Sequence, residues 1–309
     1  MATKTREPPV DGVLLLDKPQ GITSHDLVSG TRRALGQREV GHTGTLDPMA
    51  TGLMLVTLGR ATRISRFLEA TEKHYEGTIT LGRATDTMDA EGQTTLEAPV
   101  PRLEVEQVAQ VFASMLGRLE QVVPAYSAVK VDGERLYQKA RRGEVVEAPV
   151  RTIEVGAFEL LALRGAELDF RVQVSKGTYV RSLAVEVGAR LMGLPAHLSR
   201  LRRTQVGGFR VEEAQTLEGL GRSTARLRTP ADALAHFPAL AVDAQGAKDV
   251  RHGRPLKASQ LPESVPLGWA RVLDGAELIA VAEVLLAPEA RATAPAERAV
   301  AYACVLANP

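Results

Sequence analysis

Strand-like and helix-like segments alternate along the first three quarters of this chain, without the regular strand–helix–strand repeat that builds a parallel sheet. Residues 13–16 form a short apolar run that ends at Pro19 and Gly21, a pattern typical of a buried strand followed by a turn. Ser24 then stands where it can cap a helix that continues to Leu35. We therefore expect an α+β fold around a mixed, mainly antiparallel sheet.

The remaining elements of this region continue the mixture. Apolar residues at helical spacing predict helices over residues 60–70, 103–116, 134–142 and 178–192. Alternating or continuous apolar runs predict strands over residues 75–81, 125–131, 152–163 and 168–175. Neither a dinucleotide-binding nor a Walker fingerprint occurs, so a nucleotide-cofactor fold is not indicated.

The composition changes near residue 229, where alanine and proline become frequent. Short apolar runs follow at residues 269–273, 278–284 and 299–306, and they predict the strands of a small β-rich domain. We therefore divide the chain into a larger domain, residues 1–230, and a small domain, residues 231–309. Lys and Arg exceed Asp and Glu by 3 in the larger part (31 against 28), whereas the small part has a net charge of −2 (7 against 9).

The overall charge gives no strong indication of a nucleic-acid partner. The 309 residues carry a net charge of only +1, so any contact with phosphates must come from local basic clusters. A single cysteine, Cys304, excludes an intramolecular disulfide and a cysteine-cluster metal site, which fits a reducing cytoplasm. Residues 1–10 are polar and resemble neither a signal peptide nor a membrane span, so we expect a cytoplasmic protein.

Residues 38–52 are rich in Gly, Thr, Asp and Pro, and we expect them to form a loop. Within them, Asp47 is followed at once by Pro48, which stiffens the chain just after the carboxylate. A carboxylate held in this way can act as a nucleophile or a base. It can equally be a structural Asp-Pro turn whose carboxylate satisfies nearby backbone amides.

A family resemblance decides between these interpretations. Residues 41–52, GHTGTLDPMATG, resemble the catalytic motif of the TruB-type bacterial tRNA pseudouridine-55 synthases. The likeness continues through residues 17–24, 75–92, 126–137, 175–184 and 196–203, and spans about residues 11–215. It implies an enzyme that cleaves the glycosidic bond of one uridine in the T-loop of tRNA, turns the uracil and rejoins it through C5.

The resemblance implies roles for three catalytic residues. Asp47 corresponds to the family's essential aspartate, and Arg181 to the arginine that pairs with it. Tyr75 corresponds to a tyrosine that packs on the target uracil, where a phenol can help to remove the C5 proton. Whether Asp47 attacks the substrate covalently or removes a sugar proton to give a glycal is open at this point, and its charged form is needed in each case.

The resemblance also implies substrate contacts. His42 corresponds to a wedge that fills the space left by the flipped nucleotide, while Tyr179 and Leu201 correspond to contacts with the uracil. Asp89, within the matching residues 75–92, is a further candidate contact. Apart from the resemblance, seven residues supply local positive charge and are candidate phosphate contacts: Lys18, Lys130, Lys176, Arg141, Arg142, Arg202 and Arg203.

No metal ligand set is recognisable among the histidines, and an isomerisation needs no redox cofactor, so we expect neither metal nor cofactor. The C-terminal part resembles the PUA domain that accompanies this family and contacts RNA. We expect a monomer that acts on tRNA without a membrane or an obligatory protein partner. Three alternatives are a tRNA-folding module with catalysis secondary or lost, a guide-RNA-dependent relative, and a generic hydrolase that uses Asp47 as a base.

Overall fold

Two sheets organise the chain. The computed structural model describes residues 9–69, 72–127, 129–131, 133–142, 144, 148–293 and 296–306. Its strands are β1 (Gly12–Lys18), β2 (Val40–His42), β3 (Thr51–Leu58), β4 (Lys73–Leu81), β5 (Arg83–Thr85), β6 (Thr94–Glu97), β7 (Gly117–Val122), β8 (Lys130–Val131), β9 (Glu134–Arg135), β10 (Val150–Arg164), β11 (Glu167–Val174), β12 (Ala196–Val206), β13 (Phe209–Arg210), β14 (Leu227–Arg228), β15 (Ala239–Ala241), β16 (Gly268–Asp274), β17 (Glu277–Val284) and β18 (Val300–Val305).

Helices connect these strands. The α-helices are α1 (Ser24–Leu35), α2 (Ser65–Glu69), α3 (Val105–Ala113), α4 (Leu136–Arg141), α5 (Val180–Arg190), α6 (Pro230–Ala233), α7 (Ala244–Arg251) and α8 (Pro288–Thr293). Short 3-10 helices cover Gly59–Ile64, Val211–Glu213 and Ala258–Gln260. Among the described residues, none of the helices combines the length and the apolar character that a membrane span requires.

The large sheet has the strand order β14-β1-β3-β12-β4-β11-β10-β7, with β2 on β3 and β13 on β12. Its pairings are antiparallel except between β3 and β12, where Arg202 lies beside Thr51 and Arg203 beside Gly52. The small sheet, β15-β16-β17-β18, uses the C-terminal strands. The predicted α+β fold, with a mainly antiparallel sheet and a β-rich C-terminal region, is therefore confirmed.

Strands β1 and β3 are buried on both faces, which explains their nearly continuous apolar sequences. Leu14 and Leu16 point into the core formed with α1, α3 and α5. Val13 and Leu15 point to the opposite face, into a second core that includes Val281 and Leu306 from the C-terminal region. The small sheet therefore packs directly behind the strands that flank the Asp47 loop.

Four local predictions need correction. The cap of α1 is Thr23, whose hydroxyl accepts a hydrogen bond from the backbone of Asp26. The predicted loop at 38–52 contains β2 and the start of β3, because three residues are too few to show a period. The predicted strand at 125–131 is reduced to β8. The C-terminal part, for which only strands are predicted, also contains the helices α7 and α8.

Candidate active site

Asp47 lies in the connection between β2 and β3, at the wall of a cavity of about 170 Å³. The cavity brings together four other residues predicted from the sequence, although they lie up to 154 positions from Asp47 along the chain. Its lining is Thr45, Leu46, Asp47, Tyr75, Ser127, Thr178, Tyr179, Val180, Arg181 and Leu201. The cavity is therefore the candidate active site.

Arg181 forms an ion pair with the carboxylate of Asp47. Its Nε lies 2.9 Å from Oδ2 of Asp47, and Nη2 donates to Oδ1 at 3.3 Å. The guanidinium also donates to the carbonyls of Thr87 and Tyr126, at 2.8 and 2.9 Å. The Arg181 side chain is only 5% exposed, so the prediction that it pairs with Asp47 fits the geometry, and a surface position on its helix is excluded.

Asp89 is the second carboxylate on this guanidinium. Its Oδ2 lies 3.3 Å from Nη1 of Arg181, and the Asp89 side chain is 6% exposed. Its other oxygen accepts hydrogen bonds from the Thr87 hydroxyl and the Glu91 backbone. Asp89 does not line the cavity, so a direct substrate contact does not fit its position, and it holds Arg181 in place instead.

The protonation of Asp47 is set by opposing influences. Burial raises the pKa of the Asp47 carboxyl above its usual value, and the nearby charge of Asp89 adds to this rise. Arg181 opposes it by charge and hydrogen bonding, and Lys18 does so to a smaller extent. The two cations therefore favour the charged form on which the predicted chemistry depends.

The backbone of the Asp47 loop is held by side chains from outside it. Nη2 and Nη1 of Arg203 donate to the carbonyls of Gly44 and Thr45, at 3.2 and 3.4 Å, and Nε donates to Leu53 at 2.7 Å. The hydroxyl of Ser24 accepts from the Leu46 amide at 2.9 Å and lies 3.0 Å from the Leu46 carbonyl. These contacts fix the residues immediately before Asp47.

Lys18 holds the backbone of the residues that follow Asp47. Its Nζ donates to the carbonyls of Ala50 at 2.6 Å, Pro19 at 3.0 Å and Pro48 at 3.3 Å, and the residue is fully buried. Burial lowers the pKa of Lys18, and the charge of Asp47 opposes that shift. The predicted phosphate contact at Lys18 does not fit this position, because the ammonium group is already enclosed by carbonyls.

One glycine lets the strands behind the loop approach closely. Gly52 has a φ of +105°, and a Cβ at this position would lie 2.3 Å from the carbonyl oxygen of Arg203. A side chain here would push β3 away from β12 and displace Arg203. The last glycine of residues 41–52 therefore has a specific physical cause, the close approach of β3 and β12.

Tyr75 and Leu201 come from neighbouring strands. In the register of β4 and β12, Leu201 lies opposite Gly77 and Arg203 lies opposite Tyr75. Because alternate residues of a strand share a face, these side chains belong to one face of the sheet. Tyr75 and Leu201 are each 6% exposed, and both reach the cavity wall.

Tyr179 is the N-cap residue that precedes α5, and Gln121 on β7 holds it there. The Gln121 side chain accepts from the Tyr179 amide at 2.7 Å and donates to the Tyr179 carbonyl at 3.0 Å. Gln121 is 6% exposed. The role of Gln121 could not be predicted from the sequence, because a single glutamine on a strand gives no signal of a contact 58 positions away.

His42 ends β2 at the entrance to the Asp47 loop. Its Nδ1 accepts a hydrogen bond from the Gly44 amide at 3.3 Å. Burial lowers the pKa of His42, and the charges of Arg203 and His25 lower it further. The ring is therefore a neutral plane in a fixed orientation.

The predicted phosphate contacts occupy different environments. Lys176 is exposed, and it lines a second cavity beside the active site. Arg202 forms a bidentate pair with Asp17, at 3.0 and 2.7 Å, so part of its hydrogen-bonding capacity is already used. Arg142 is paired with Glu134 and Glu144. Lys130 and Arg141 lie in β8 and α4, and their side chains are outside the described part of the structure.

No group of three or more His, Cys, Asp or Glu side chains suited to a metal ion is present among the residues that the structure describes. The arrangement at the cavity is instead a carboxylate paired with a buried arginine, facing two tyrosines and a leucine. It offers a carboxyl group beside a cation together with flat and apolar surfaces, which suits chemistry on a nucleobase that has left its stack.

Comparison with known proteins agrees with this chemistry. The family model for the N-terminal domain of the TruB family pseudouridylate synthases matches residues 32–180, which include Asp47, Tyr75 and Tyr179. The protein named tRNA pseudouridine synthase B from Aromatoleum aromaticum is 48% identical over 254 residues, which are 81% of this chain and 82% of that protein. Its namesake from Geobacillus kaustophilus is 47% identical, over 80% of this chain and 91% of that protein.

Solved structures show the same architecture over nearly the whole chain. A chain in a crystal structure of a Cbf5-Nop10-Gar1 complex has a TM-score of 0.75 and 27% identity, and the match covers 96% of this chain and 85% of that one. A chain in an H/ACA RNP bound to a substrate RNA containing 2′-deoxyuridine gives a TM-score of 0.74 and 26% identity, with the same coverage.

The fold and the site thus define an isomerase that converts uridine to pseudouridine. More particularly, the chain belongs to the TruB family of pseudouridylate synthases. The resemblance found from the sequence motifs is confirmed, and the alternatives of a folding module without catalysis and a generic hydrolase are not favoured.

Proposed function

We propose that this enzyme isomerises the uridine at position 55 in the T-loop of tRNA, with Asp47 as the essential carboxylate. The observation that carries the proposal is the pairing of Asp47 with the buried Arg181 at the wall of a cavity of about 170 Å³. The choice of tRNA is supported by relatives 44–48% identical to this chain that are named tRNA pseudouridine synthase B.

The reaction breaks the bond between C1′ and N1 and forms a bond between C1′ and C5. The proton on C5 is lost and N1 gains one, so the product is an isomer of the substrate. Asp47 acts in its ionised form, either by adding to the substrate or by removing a sugar proton. Arg181 holds that charge in the cavity, where water is partly excluded and electrostatic interactions are stronger than in bulk water.

The other cavity residues recognise the extruded base. Tyr75 packs on the uracil and is placed to assist the loss of the C5 proton. Tyr179 and Leu201 also contact the uracil, and all three residues line the same cavity as Asp47. The neutral ring of His42 takes the place of the departed base in the RNA stack, which offsets part of the stacking that is lost when the uridine flips.

We propose the following division of labour for the whole chain. Residues 1–230 carry out catalysis, and residues 231–309 form a small PUA-like domain that contacts the RNA. The enzyme acts in the cytoplasm as a monomer, without a cofactor, a metal or an obligatory protein partner. Lys176, Lys130 and Arg202 contact phosphates of the tRNA; for Arg202 this requires sharing the guanidinium with Asp17.

The test is to incubate the purified protein, without metal or cofactor, with an unmodified T-stem-loop RNA. Pseudouridine is then mapped by carbodiimide treatment and primer extension. We expect one T-loop uridine to convert, and an Asp47→Asn variant to bind the RNA without converting it. If RNA binds and no uridine changes with either protein, the proposal is wrong.

A further inference from the structure

A second cavity, of about 430 Å³, opens beside the active site. The two cavities have Thr45, Tyr75, Thr178 and Tyr179 in common, so the tyrosines form part of the boundary between them. The charged residues in the wall of the second cavity are four cations and one carboxylate, namely Lys73, Arg151, Lys176, Arg203 and Glu69. This excess of positive charge is unlike the chain as a whole, whose net charge is +1.

Two of the cations form the inner end of the cavity. Lys73 and Arg203 are 8% and 2% exposed, and they project from the neighbouring strands β4 and β12. Both approach Gly44 in the Asp47 loop. A Cβ on Gly44 would lie 3.7 Å from Cε of Lys73 and 3.7 Å from Nη1 of Arg203. The absence of a side chain at Gly44 therefore leaves the two cations adjacent to the cavity. Because the guanidinium of Arg203 already donates to backbone carbonyls, Arg203 contributes its positive charge to the cavity rather than a direct contact.

The other two cations stand at the mouth. Arg151 and Lys176 are both exposed. Nη1 of Arg151 lies 3.6 Å from the position that a Cβ on Gly177 would take, which brings its guanidinium beside the turn that carries Lys176. The cavity thus has a buried positive end and an exposed positive rim.

The charges in this group repel one another. Burial, together with the charges of Arg203 and Lys176, lowers the pKa of Lys73 to about 8, although the charge of Glu69 opposes the shift. Gathering like charges around one cavity costs energy in the unliganded protein, and an anion in the cavity would convert the repulsion into attraction. The arrangement therefore indicates an anionic ligand.

We propose that this cavity is a phosphate subsite, which holds a phosphodiester of the substrate RNA beside the nucleotide whose base enters the active site. The inference rests on the proposed function, because base and phosphate belong to one RNA strand. Tyr75 and Tyr179 separate the two subsites, so a base can lie on one side while a neighbouring phosphate lies on the other. A backbone phosphate held there would fix the position of the sugar at which the bond is broken.

This subsite has a consequence for pH dependence. A bound phosphate stabilises the charged form of Lys73, so RNA binding takes up a proton, and affinity falls as the pH rises through about 8. The charged groups that face Lys73 are Arg203 from β12, Lys176 from the turn before α5, Arg151 from β10 and Glu69 from α2. A Lys73→Met variant should lose this pH dependence while keeping a side chain of similar length.

The experiment measures binding of a T-stem-loop RNA over a series of salt concentrations. The rim variant Arg151→Gln/Lys176→Gln is compared with Arg102→Gln, which removes a cation that is 90% exposed and outside the cavity lining. We expect the rim variant to bind about tenfold more weakly at low salt, with a salt slope smaller by about 1 to 2. Its KM should rise more than its kcat falls, and Arg102→Gln should match the unmodified protein.

Three results would overturn the inference. The first is a rim variant with unchanged affinity and salt slope. The second is a pH dependence that persists in Lys73→Met; if that variant does not fold, the rim variant carries the test. The third is inorganic phosphate that raises the Tm at sub-millimolar concentration without weakening the binding of the T-stem-loop RNA, which would assign the cavity to a free anion. If the unmodified protein converts no uridine at all, the proposed function fails instead.

Discussion

Cationic side chains fasten both the Asp47 loop and the C-terminal sheet to the rest of the molecule, but they do so in different surroundings. At the loop, Lys18 and Arg203 are buried and each donates to several carbonyls. At β18, the edge strand of the small sheet, Arg63 donates to Val305 at 2.7 Å and Arg66 to Ala303 at 3.2 Å, and both contacts are exposed.

The buried and the exposed contacts differ in how firmly they can fix the backbone. Water can replace an exposed arginine at a strand edge, so such contacts contribute little and permit small movements. It cannot easily replace a buried cation surrounded by carbonyls, so the loss of that cation leaves acceptors without donors and releases the geometry they defined. The loop needs that constraint, because an Asp47 displaced by about 1 Å loses much of its effect.

The largest expected effect on kcat follows from removing the charge of Asp47, the residue that the loop positions. Asp47→Asn keeps the size of the side chain but removes its charge, so we expect kcat to fall by about 10³-fold or more while RNA binding persists. Single-turnover conversion of a T-stem-loop RNA measures this, and it sets the scale for the residues that only hold the loop. Conversion within tenfold of the unmodified protein would contradict the role of Asp47.

The next effect concerns the charge of Asp47. Since Arg181 lowers a pKa that burial raises, Arg181→Gln should raise the pKa of Asp47 further. The reaction needs the ionised carboxylate, so activity falls as the pH falls through this pKa, and the acid limb of kcat should move to higher pH in the variant. A pH–rate profile for both proteins checks this. An unmoved acid limb would mean that Arg181 does not control the ionisation of Asp47.

The strands and the central site residues could be predicted from the sequence, but the residues that position them could not. The apolar runs of β1 and β3 predicted strands, and Asp47 with Arg181 was found through motifs. The roles of Ser24, Lys18 and Gln121 could not be predicted, because each depends on backbone groups 22 to 58 positions away that only the fold brings near. Short strands such as β2 contain too few residues to reveal a period.

A smaller effect on kcat is expected from Gln121, which holds the backbone of Tyr179, a proposed contact with the uracil. Gln121→Leu removes both hydrogen bonds to the backbone of Tyr179 but leaves a side chain of similar size. We expect kcat to fall by about tenfold with a smaller change in KM. Gln121→Glu keeps the acceptor for the Tyr179 amide and should recover part of the loss. Equal activity in all three proteins would show that Gln121 serves only packing.

The smallest effect is expected at the C-terminal sheet. Arg63→Gln/Arg66→Gln removes the exposed contacts to β18, and we expect the free energy of unfolding to fall by about 1 kcal/mol or less. The rate of the chemical step should stay within twofold of the unmodified protein. Urea denaturation and single-turnover kinetics measure the two quantities. A tenfold loss of rate would show that these exposed arginines also determine the geometry of the active site.

The claim that buried cations fix the Asp47 loop more firmly than exposed arginines fix β18 has one most direct test. It is the single-turnover rate of Lys18→Met at saturating T-stem-loop RNA. Lys18 does not line either cavity, so it acts on the chemistry through the loop that it holds and, to a smaller extent, through its charge, which lowers the pKa of Asp47. We predict a rate at least about tenfold below that of Arg63→Gln/Arg66→Gln, with RNA affinity within about threefold. A folded Lys18→Met protein whose rate matches the unmodified enzyme would contradict the claim that buried cations position Asp47.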